Sequence, residues 1–285
     1  MPRLKLPRFG LRMLLIATIG LGSAIGYYVQ RTQSQFRATQ WILSNEGNIY
    51  YDYEIDQSKL NQEDVRGNGW SPPPWQKWEA PAPGPEFLRE RLGIDYFATV
   101  VGVDVSDSNF PIQNLAQLKA FSDLQLLTIG VPDSDNLDFS AVSELPEIRR
   151  LEVHYSALRD LSFIESAHKL RVISLWDTGI RDIQSLSNLK NLERIEINSL
   201  IENTAPLAGL TKLKSITINT MDFDIDDFRK LKELEYLDLD VANCRYSQTQ
   251  LGEFNQMLPK TQIFIRSNKK PYFESEFYPQ IRPAG

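Results

Sequence analysis

An acidic cluster late in the chain has the spacing of a calcium-binding loop. Asp222, Asp224, Asp226 and Glu233 match positions 1, 3, 5 and 12 of such a loop, where carboxylate oxygens would surround the ion. Position 6 is Asp227, although the sharp turn of the loop needs glycine there. We therefore expect no calcium site here, and the sequence predicts neither a metal nor a cofactor.

The chain has only two histidines, which limits acid–base chemistry. His154 has Glu152 and Ser156 close in sequence, and these are the residue types of a hydrolase triad. All three belong to one predicted strand and its turn, where successive outward side chains point in parallel and do not converge on one atom. A cell-envelope hydrolase is therefore the weaker alternative, and we predict no catalytic residue.

Cys244 is the only cysteine, so neither an intramolecular disulfide nor a cysteine-based zinc cluster can form. Its place in the repeat pattern described next corresponds to Ile180, an inward position of the turn. We expect a buried, inert thiol, because an apolar setting suppresses the reactive thiolate. The alternative is an exposed cysteine that cross-links two copies.

Six stretches share the frame L-x-x-L-x-L, in which L is any aliphatic residue, and they start 24, 22, 22, 21 and 21 residues apart. They are Leu124/Leu127/Ile129, Ile148/Leu151/Val153, Leu170/Ile173/Leu175, Leu192/Ile195/Ile197, Leu213/Ile216/Ile218 and Leu234/Leu237/Leu239. A similar stretch precedes them at Val100/Val103/Val105, and Ile263/Ile265 follows. The pattern predicts eight short strands at a repeat period.

No single repeat of this length can bury the aliphatic face of its strand, so neighbouring repeats must stack. Between the strands, segments such as Ile183 to Leu189 and Ile225 to Leu231 carry apolar residues three apart, which favours a helical turn. The expected result is an α/β solenoid with a parallel sheet on its concave side and helical returns on its convex side.

Over residues 97 to 266 the chain resembles the leucine-rich-repeat family, in particular bacterial members with a short N-terminal anchor. The stretch from Gly84 to Ser106 also resembles the lead-in of such membrane-attached proteins. The family's inward Asn after the strand is replaced here by Ser156, Thr178, Leu200, Met221 and Ala242. The resemblance implies the fold and a binding role, and it does not name a partner.

Residues between the inward aliphatics are expected to point to solvent on the concave face. Among them are the aromatics Trp176 and Tyr236, flanked by Arg150, His154 and Arg194. Trp, Tyr and Arg are enriched at the residues that dominate binding energy. These five residues form the predicted binding surface, for a protein or a glycan, and the alternative is a solvated sheet in a purely structural spacer.

Met13 to Val29 is a run of 17 uncharged residues that spans roughly 26 Å as a helix. Four basic residues precede the run and two follow it, which predicts a single-pass membrane helix with a cytoplasmic N-terminus. The repeats would then lie outside the cytoplasm. The alternative is secretion after cleavage of a signal peptide near Gly22 and Ala24. Gly22 and Gly26 also have the spacing of a weak homodimer contact.

The predicted order is a basic segment 1–12, the membrane helix 13–29, a linker and cap 30–96, the repeats 97–266 and a tail 267–285. Within the linker, residues 67–85 hold six prolines and three tryptophans, Trp70, Trp75 and Trp78. We expect these indole rings to cover the exposed end of the repeats, and a recognition platform is the alternative.

The net charge of −6 is unevenly distributed, because residues 1–37 hold six basic residues and no acid. The remainder has 25 basic against 37 acidic residues, a net charge of −12. A surface this negative repels polyanions, so the sequence predicts no nucleic-acid partner.

Overall fold

The structure is a computed structural model that describes residues 11–60, 75–77, 80–106, 115–130, 137–156, 158–242 and 248–267. Cys244, Trp70, Trp78 and the tail beyond Ser267 lie outside these described residues. The expectation of a buried thiol at Cys244 therefore stays a prediction.

One nine-stranded sheet runs through the described part of the chain, with its strands in sequence order. The strands are β1 (Asn48–Tyr51), β2 (Val100–Val105), β3 (Leu126–Gly130), β4 (Arg150–Ser156), β5 (Val172–Thr178), β6 (Arg194–Ile201), β7 (Ser215–Thr220), β8 (Tyr236–Val241) and β9 (Gln262–Ser267). β2 to β9 pair in parallel, and β1 pairs with β2 antiparallel. The eight predicted repeat strands are thus confirmed as β2 to β9.

The core is a ladder of aliphatic side chains that the repeat places in register. Leu127, Leu151, Ile173, Ile195 and Ile216 lie opposite one another on five consecutive strands, and each is fully buried. Each strand end is followed by a return that crosses to the next strand, as parallel pairing requires. The sheet and its returns therefore bury a single continuous core.

The returns between β2 and β8 are short 3-10 helices, which confirms the helical turns predicted from the apolar spacing. Two examples are Gln184–Asn188 and Ile225–Phe228. Leu186 and Phe228 point from them into the core, and both are fully buried. Two short α-helices complete the described elements of the domain, α2 (Glu86–Leu92) and α3 (Gln248–Met257).

A single helix, α1 (Leu11–Ser44), occupies the region where the sequence predicted a membrane helix followed by a linker. The interior of this region contains no proline, so the backbone hydrogen bonds continue across residue 30. The second half of α1 docks on the repeats, where Ala38 and Ile42 are fully buried. The first half is exposed, with Ile16 and Tyr27 each 69% accessible.

Among the described residues, no helix combines the length with the apolar character that a bilayer crossing requires. The membrane span predicted at residues 13–29 is therefore not supported.

A buried polar network attaches α1 to the first repeat. Asp95 Oδ1 accepts a hydrogen bond of 2.8 Å from Gln35 Nε2, and weaker ones from Thr39 and Tyr51 at 3.4 Å. Gln35 also binds the β2 edge, because its Oε1 accepts from the Val100 amide at 3.1 Å. Burial raises the pKa of Asp95, and the three hydrogen bonds oppose this shift only in part.

Residues that follow β1 fold back over the concave face of the sheet. A single antiparallel bridge between Ile55 and Gln76 joins them to residues 75–77, and the Asp56 amide donates a hydrogen bond of 2.7 Å to the Trp75 oxygen. Ile55, Leu60 and Trp75 pack with Val101 and Leu126 in a second apolar cluster, separate from the main core. We call residues 52–60 and 75–77 the cap segment.

Candidate binding surface

The parallel register arranges the outward side chains of the sheet in columns across the concave face. One column runs in register through the middle of the strands and consists of Glu152, Ser174, Glu196, Thr217 and Asp238. Acidic residues alternate with hydroxyls in it, so the carboxylates are about 10 Å apart, twice the strand spacing. This arrangement avoids direct repulsion between adjacent acids.

The cap segment covers the concave face at the N-terminal strands. Arg150 Nη1 donates a hydrogen bond of 3.0 Å to the main-chain oxygen of Leu60, and Arg150 Nε pairs with Glu152 Oε1. The Arg150 side chain is only 6% accessible. Arg150 was predicted to be part of an open binding surface, but its guanidinium is occupied within the chain because the cap segment lies on it.

Glu152 lies between two basic groups on β4. It pairs with Arg150 on one side, and its Oε2 lies 3.6 Å from His154 Nε2 on the other. Burial raises the pKa of this carboxyl, but the hydrogen bond from His154 and the charge and hydrogen bond of Arg150 outweigh it and hold the pKa at about 2. Glu152 therefore fixes both neighbours, and His154 remains 27% accessible.

Trp176 on β5 lies beside His154, its register partner on β4. Both residues are near the carboxyl ends of their strands. Its indole Nε1 donates a hydrogen bond of 2.7 Å to Ser174 Oγ, which in turn donates to Glu196 Oε2 at 3.3 Å. These bonds fix the polar edge of the ring, while 36% of the residue stays accessible. Trp176 is thus an oriented aromatic side chain on an open part of the sheet.

The other two predicted residues lie at the opposite ends of the strands. Arg194 on β6 and Tyr236 on β8 flank Ser215 in the register, and Arg194 Nη1 donates to Ser215 Oγ at 3.2 Å. Arg194 is in register with Val172, four residues before Trp176, which corresponds to about 13 Å along the strand. The structure therefore brings His154 and Trp176 together and places Arg194 and Tyr236 in a second group.

The second group is extended by three residues of the C-terminal strands that were not singled out from the sequence, namely Asp238, Phe264 and Arg266. The rings of Tyr236 and Phe264 lie 5.6 Å apart, and Arg266 Nη2 binds both oxygens of Asp238 at 2.8 and 2.9 Å. The signal was present in the sequence, because Phe264 breaks the alternation of acids and hydroxyls in the middle column.

The residues with calcium-loop spacing do not converge in the structure. The Asp224 side chain accepts from the Asp226 amide at 2.9 Å, and Asp226 binds Arg229 Nε at 3.0 Å. These carboxylates stabilise the turn before Phe228, whose side chain is in the core. Within the described part of the chain, no group of three or more His, Cys, Asp or Glu side chains is placed to hold a metal ion.

Solved structures with a similar course of the chain belong to leucine-rich-repeat proteins. Internalin C2 from Listeria monocytogenes superimposes with a TM-score of 0.50 at 19% identity, covering 62% of this chain and 80% of that one. The internalin inlF from the same organism has a TM-score of 0.47 at 22% identity, covering 57% and 44%. This chain thus spans less than half of inlF.

A leucine-rich-repeat protein from Leptospira interrogans gives a TM-score of 0.42 at 15% identity, with 53% and 45% covered. No family model and no curated protein sequence matches the chain. The register, the period and the likeness to internalin C2 define the fold as an α/β leucine-rich-repeat solenoid.

Proposed function

We propose that this protein is a binding module that recognises a protein partner through the open part of its concave face, β4 to β9. The observation that carries the proposal is the exposed ring of Trp176, whose polar edge is fixed by Ser174. An aromatic ring that is already ordered loses little conformational entropy on binding, so its contacts contribute fully to affinity.

The charges around Trp176 support a protein partner with polar groups beside an apolar anchor. His154 and Glu196 lie on the two neighbouring strands, and Arg194 and Tyr236 provide a second contact region. The combination of aromatic side chains with arginine is typical of protein interfaces. A glycan partner and a solvated spacer are the alternatives that the following experiment distinguishes.

The test is capture of a partner from an extract of the source cells by the immobilised full chain. Trp176→Ala should reduce capture at least tenfold, because the anchor is lost. The matched control is Phe87→Ala, which removes an exposed aromatic residue of α2 that is 61% accessible. Equal capture by wild type and both variants would reject the concave face as the binding surface, and capture sensitive to deglycosylation would indicate a glycan.

We further propose that the free half of α1 attaches the protein to a membrane. Six large aliphatic side chains are more than half exposed there, namely Met13, Leu15, Ile16, Ile19, Leu21 and Ile25. Water-exposed apolar surface of this kind is unfavourable and favours contact with lipid. A cytoplasmic N-terminus with the repeats on the other side remains a prediction.

Two measurements test the attachment and its orientation. The full chain should co-sediment with lipid vesicles, and Ile16→Asp with Ile19→Asp should abolish this. Protease added to intact spheroplasts should digest the repeats if they lie outside, and their protection would contradict the predicted orientation. The dimer predicted at Gly22 and Gly26 is tested separately by cross-linking in the same vesicles. At each of these two glycines, an added Cβ would meet no atom within 4 Å.

A further inference from the structure

We propose that the concave face of β2 to β4 is a second, covered binding surface and that the cap segment occupies it as an intramolecular ligand. The segment competes there with a peptide that carries two bulky apolar side chains on either side of a short helical turn, as the cap segment does around Gln57–Lys59. This inference rests on the proposed function, because it assumes that the uncovered part of the same face binds a partner.

The contact of the cap segment with the sheet resembles that of a bound peptide. Ile55 and Leu60 are 1% and 3% accessible, and they pack against Val101 and Leu126 rather than against the main core. The main chain takes part as well, since Arg150 donates to the oxygen of Leu60. Buried apolar anchors together with a main-chain hydrogen bond are what a peptide-binding surface uses to hold its ligand, and here a 3-10 turn, Gln57–Lys59, separates the two anchors.

The contact is also incompletely satisfied, which favours its reversal. Trp75 Nε1 is buried without a hydrogen-bond partner among the described residues. A buried polar atom that lacks a partner opposes the burial that holds the segment in place. The unpartnered indole nitrogen therefore offsets part of the stability that the second apolar cluster gains from its buried side chains.

A chain of contacts joins the covered surface to the exposed one. Leu60 is bound by Arg150, Arg150 pairs with Glu152, Glu152 contacts His154, and His154 lies in register with Trp176. Displacement of the cap segment would release Arg150 Nη1 from the oxygen of Leu60, while Nε stays paired with Glu152, and would make one continuous surface from β2 to β9. A partner that reaches Trp176 could then extend its peptide over Leu126.

The partner chemistry follows from what the cap segment supplies. The occupant must form a turn like the 3-10 helix Gln57–Lys59, must place aliphatic side chains where Ile55 and Leu60 lie, and must offer a main-chain oxygen to Arg150. A probe with this chemistry is a labelled synthetic peptide with the sequence of residues 50–60. Its control carries Asp in place of Ile55 and Leu60.

Hydrogen exchange of the full chain tests whether the segment opens by itself. The amides of Asp56 and Lys77, which bind the oxygens of Trp75 and Glu54, should exchange at least 100-fold faster than that of Ile173. Leu60→Ala should accelerate these two amides at least tenfold more, and the exposed Leu200→Ala should not. Exchange of the cap amides only together with the repeat strands would overturn the proposal.

Peptide binding tests whether the vacated face is a binding surface. The full chain with Ile55→Asp and Leu60→Asp should bind the labelled peptide saturably, with a dissociation constant below about 1 mM. This limit is the effective concentration that a tethered segment reaches at its own site. Wild type should bind at least tenfold more weakly, and the Asp peptide should not bind. If the variant keeps the slow amide exchange of Ile173, its repeats are folded, and absence of saturable peptide binding would overturn the proposal. If the variant loses that protection, the hydrogen-exchange result of the wild type decides instead.

Neither measurement uses the partner captured through Trp176. Failure of the peptide and exchange experiments therefore leaves the proposed function standing. Conversely, equal capture by Trp176→Ala and wild type would reject the proposed function without changing the opening of the cap segment.

Discussion

Arg150 and Leu60 are 90 residues apart in sequence, yet the guanidinium Nη1 of Arg150 lies 3.0 Å from the main-chain oxygen of Leu60. Through Nε the same side chain pairs with Glu152. A single buried cation thus joins the cap segment to β4 and neutralises a buried carboxylate. Its removal should affect stability more than the loss of one surface ion pair would.

Arg150→Met should lower the free energy of unfolding by about 3 kcal/mol, because it leaves the buried Glu152 without its main counter-charge. Arg229→Met is the matched control, since the ion pair of Arg229 with Asp226 is 65% and 62% exposed. The control should cost about 0.5 kcal/mol or less. Urea unfolding of both variants measures the difference, and equal losses would contradict the buried network.

Glu152 should make stability fall at low pH. Its pKa is about 2 in the folded state and near 4.5 when unfolded, so the carboxylate stabilises the fold above pH 4.5. That contribution, about 3 kcal/mol at most, is lost as the pH falls from 4.5 to 2. Glu152→Gln should unfold with a smaller pH dependence in this window, and an unchanged slope would argue against the Arg150–Glu152–His154 contacts.

Asp95 should have the opposite effect. Burial raises its pKa in the folded state, so the folded protein retains this proton to higher pH than the unfolded chain does. Its contribution to stability therefore decreases as the pH rises from its ordinary pKa near 3.8 through the raised value. Asp95→Asn should remove that decrease, which urea titrations of wild type and variant across the acidic range would detect.

The register predicts contrasting effects at two adjacent residues. Ile195→Asp should prevent folding of the repeats or lower stability by several kcal/mol, because Ile195 is fully buried between two strands. Glu196→Ala should cost about 1 kcal/mol or less, since the bond that it loses from Ser174 is partly exposed. Thermal melts of similar midpoint for both variants would mean that the inward and outward faces are misassigned.

Two glycines should respond to the same substitution with opposite signs. A Cβ at Gly130 would lie 2.7 Å from the main-chain oxygen of Ser106, so Gly130→Ala must displace backbone and should destabilise by about 1 to 3 kcal/mol. A Cβ at Gly252, within α3, meets nothing within 4 Å. Gly252→Ala should stabilise by about 0.5 to 1 kcal/mol, because alanine favours the helix. Differential calorimetry measures both.

The repeat solenoid could be predicted from the sequence because its signal is a period. Each strand repeats the same spacing of buried aliphatics, so Ile173 and Ile195 had to meet in one register. The 3-10 returns followed from the same regularity. Trp176 could be placed on the concave face for this reason, since it falls between inward positions.

The cap contacts have no comparable signal. Nothing in the local sequence around Leu60 indicates that its carbonyl binds Arg150, because the contact depends on how a non-repeating segment folds over the sheet. The burial of Arg150 therefore could not be predicted, although the repeat pattern did predict that its side chain lies on the concave face. The continuity of α1 was missed for a related reason. The change from apolar to polar residues near Gln30 suggested a boundary, but the hydrogen bonds of a helix join main-chain groups and do not depend on side-chain polarity.

The continuity of α1 has a geometric consequence. About 20 residues precede the docked half, which amounts to an arm of roughly 30 Å that turns as one body with the repeats. An attachment at the start of the arm therefore sets the orientation of the concave face about the axis of α1. A single residue inserted beside Gln30 would rotate that direction by about 100°, whereas seven inserted residues would nearly restore it and only lengthen the reach.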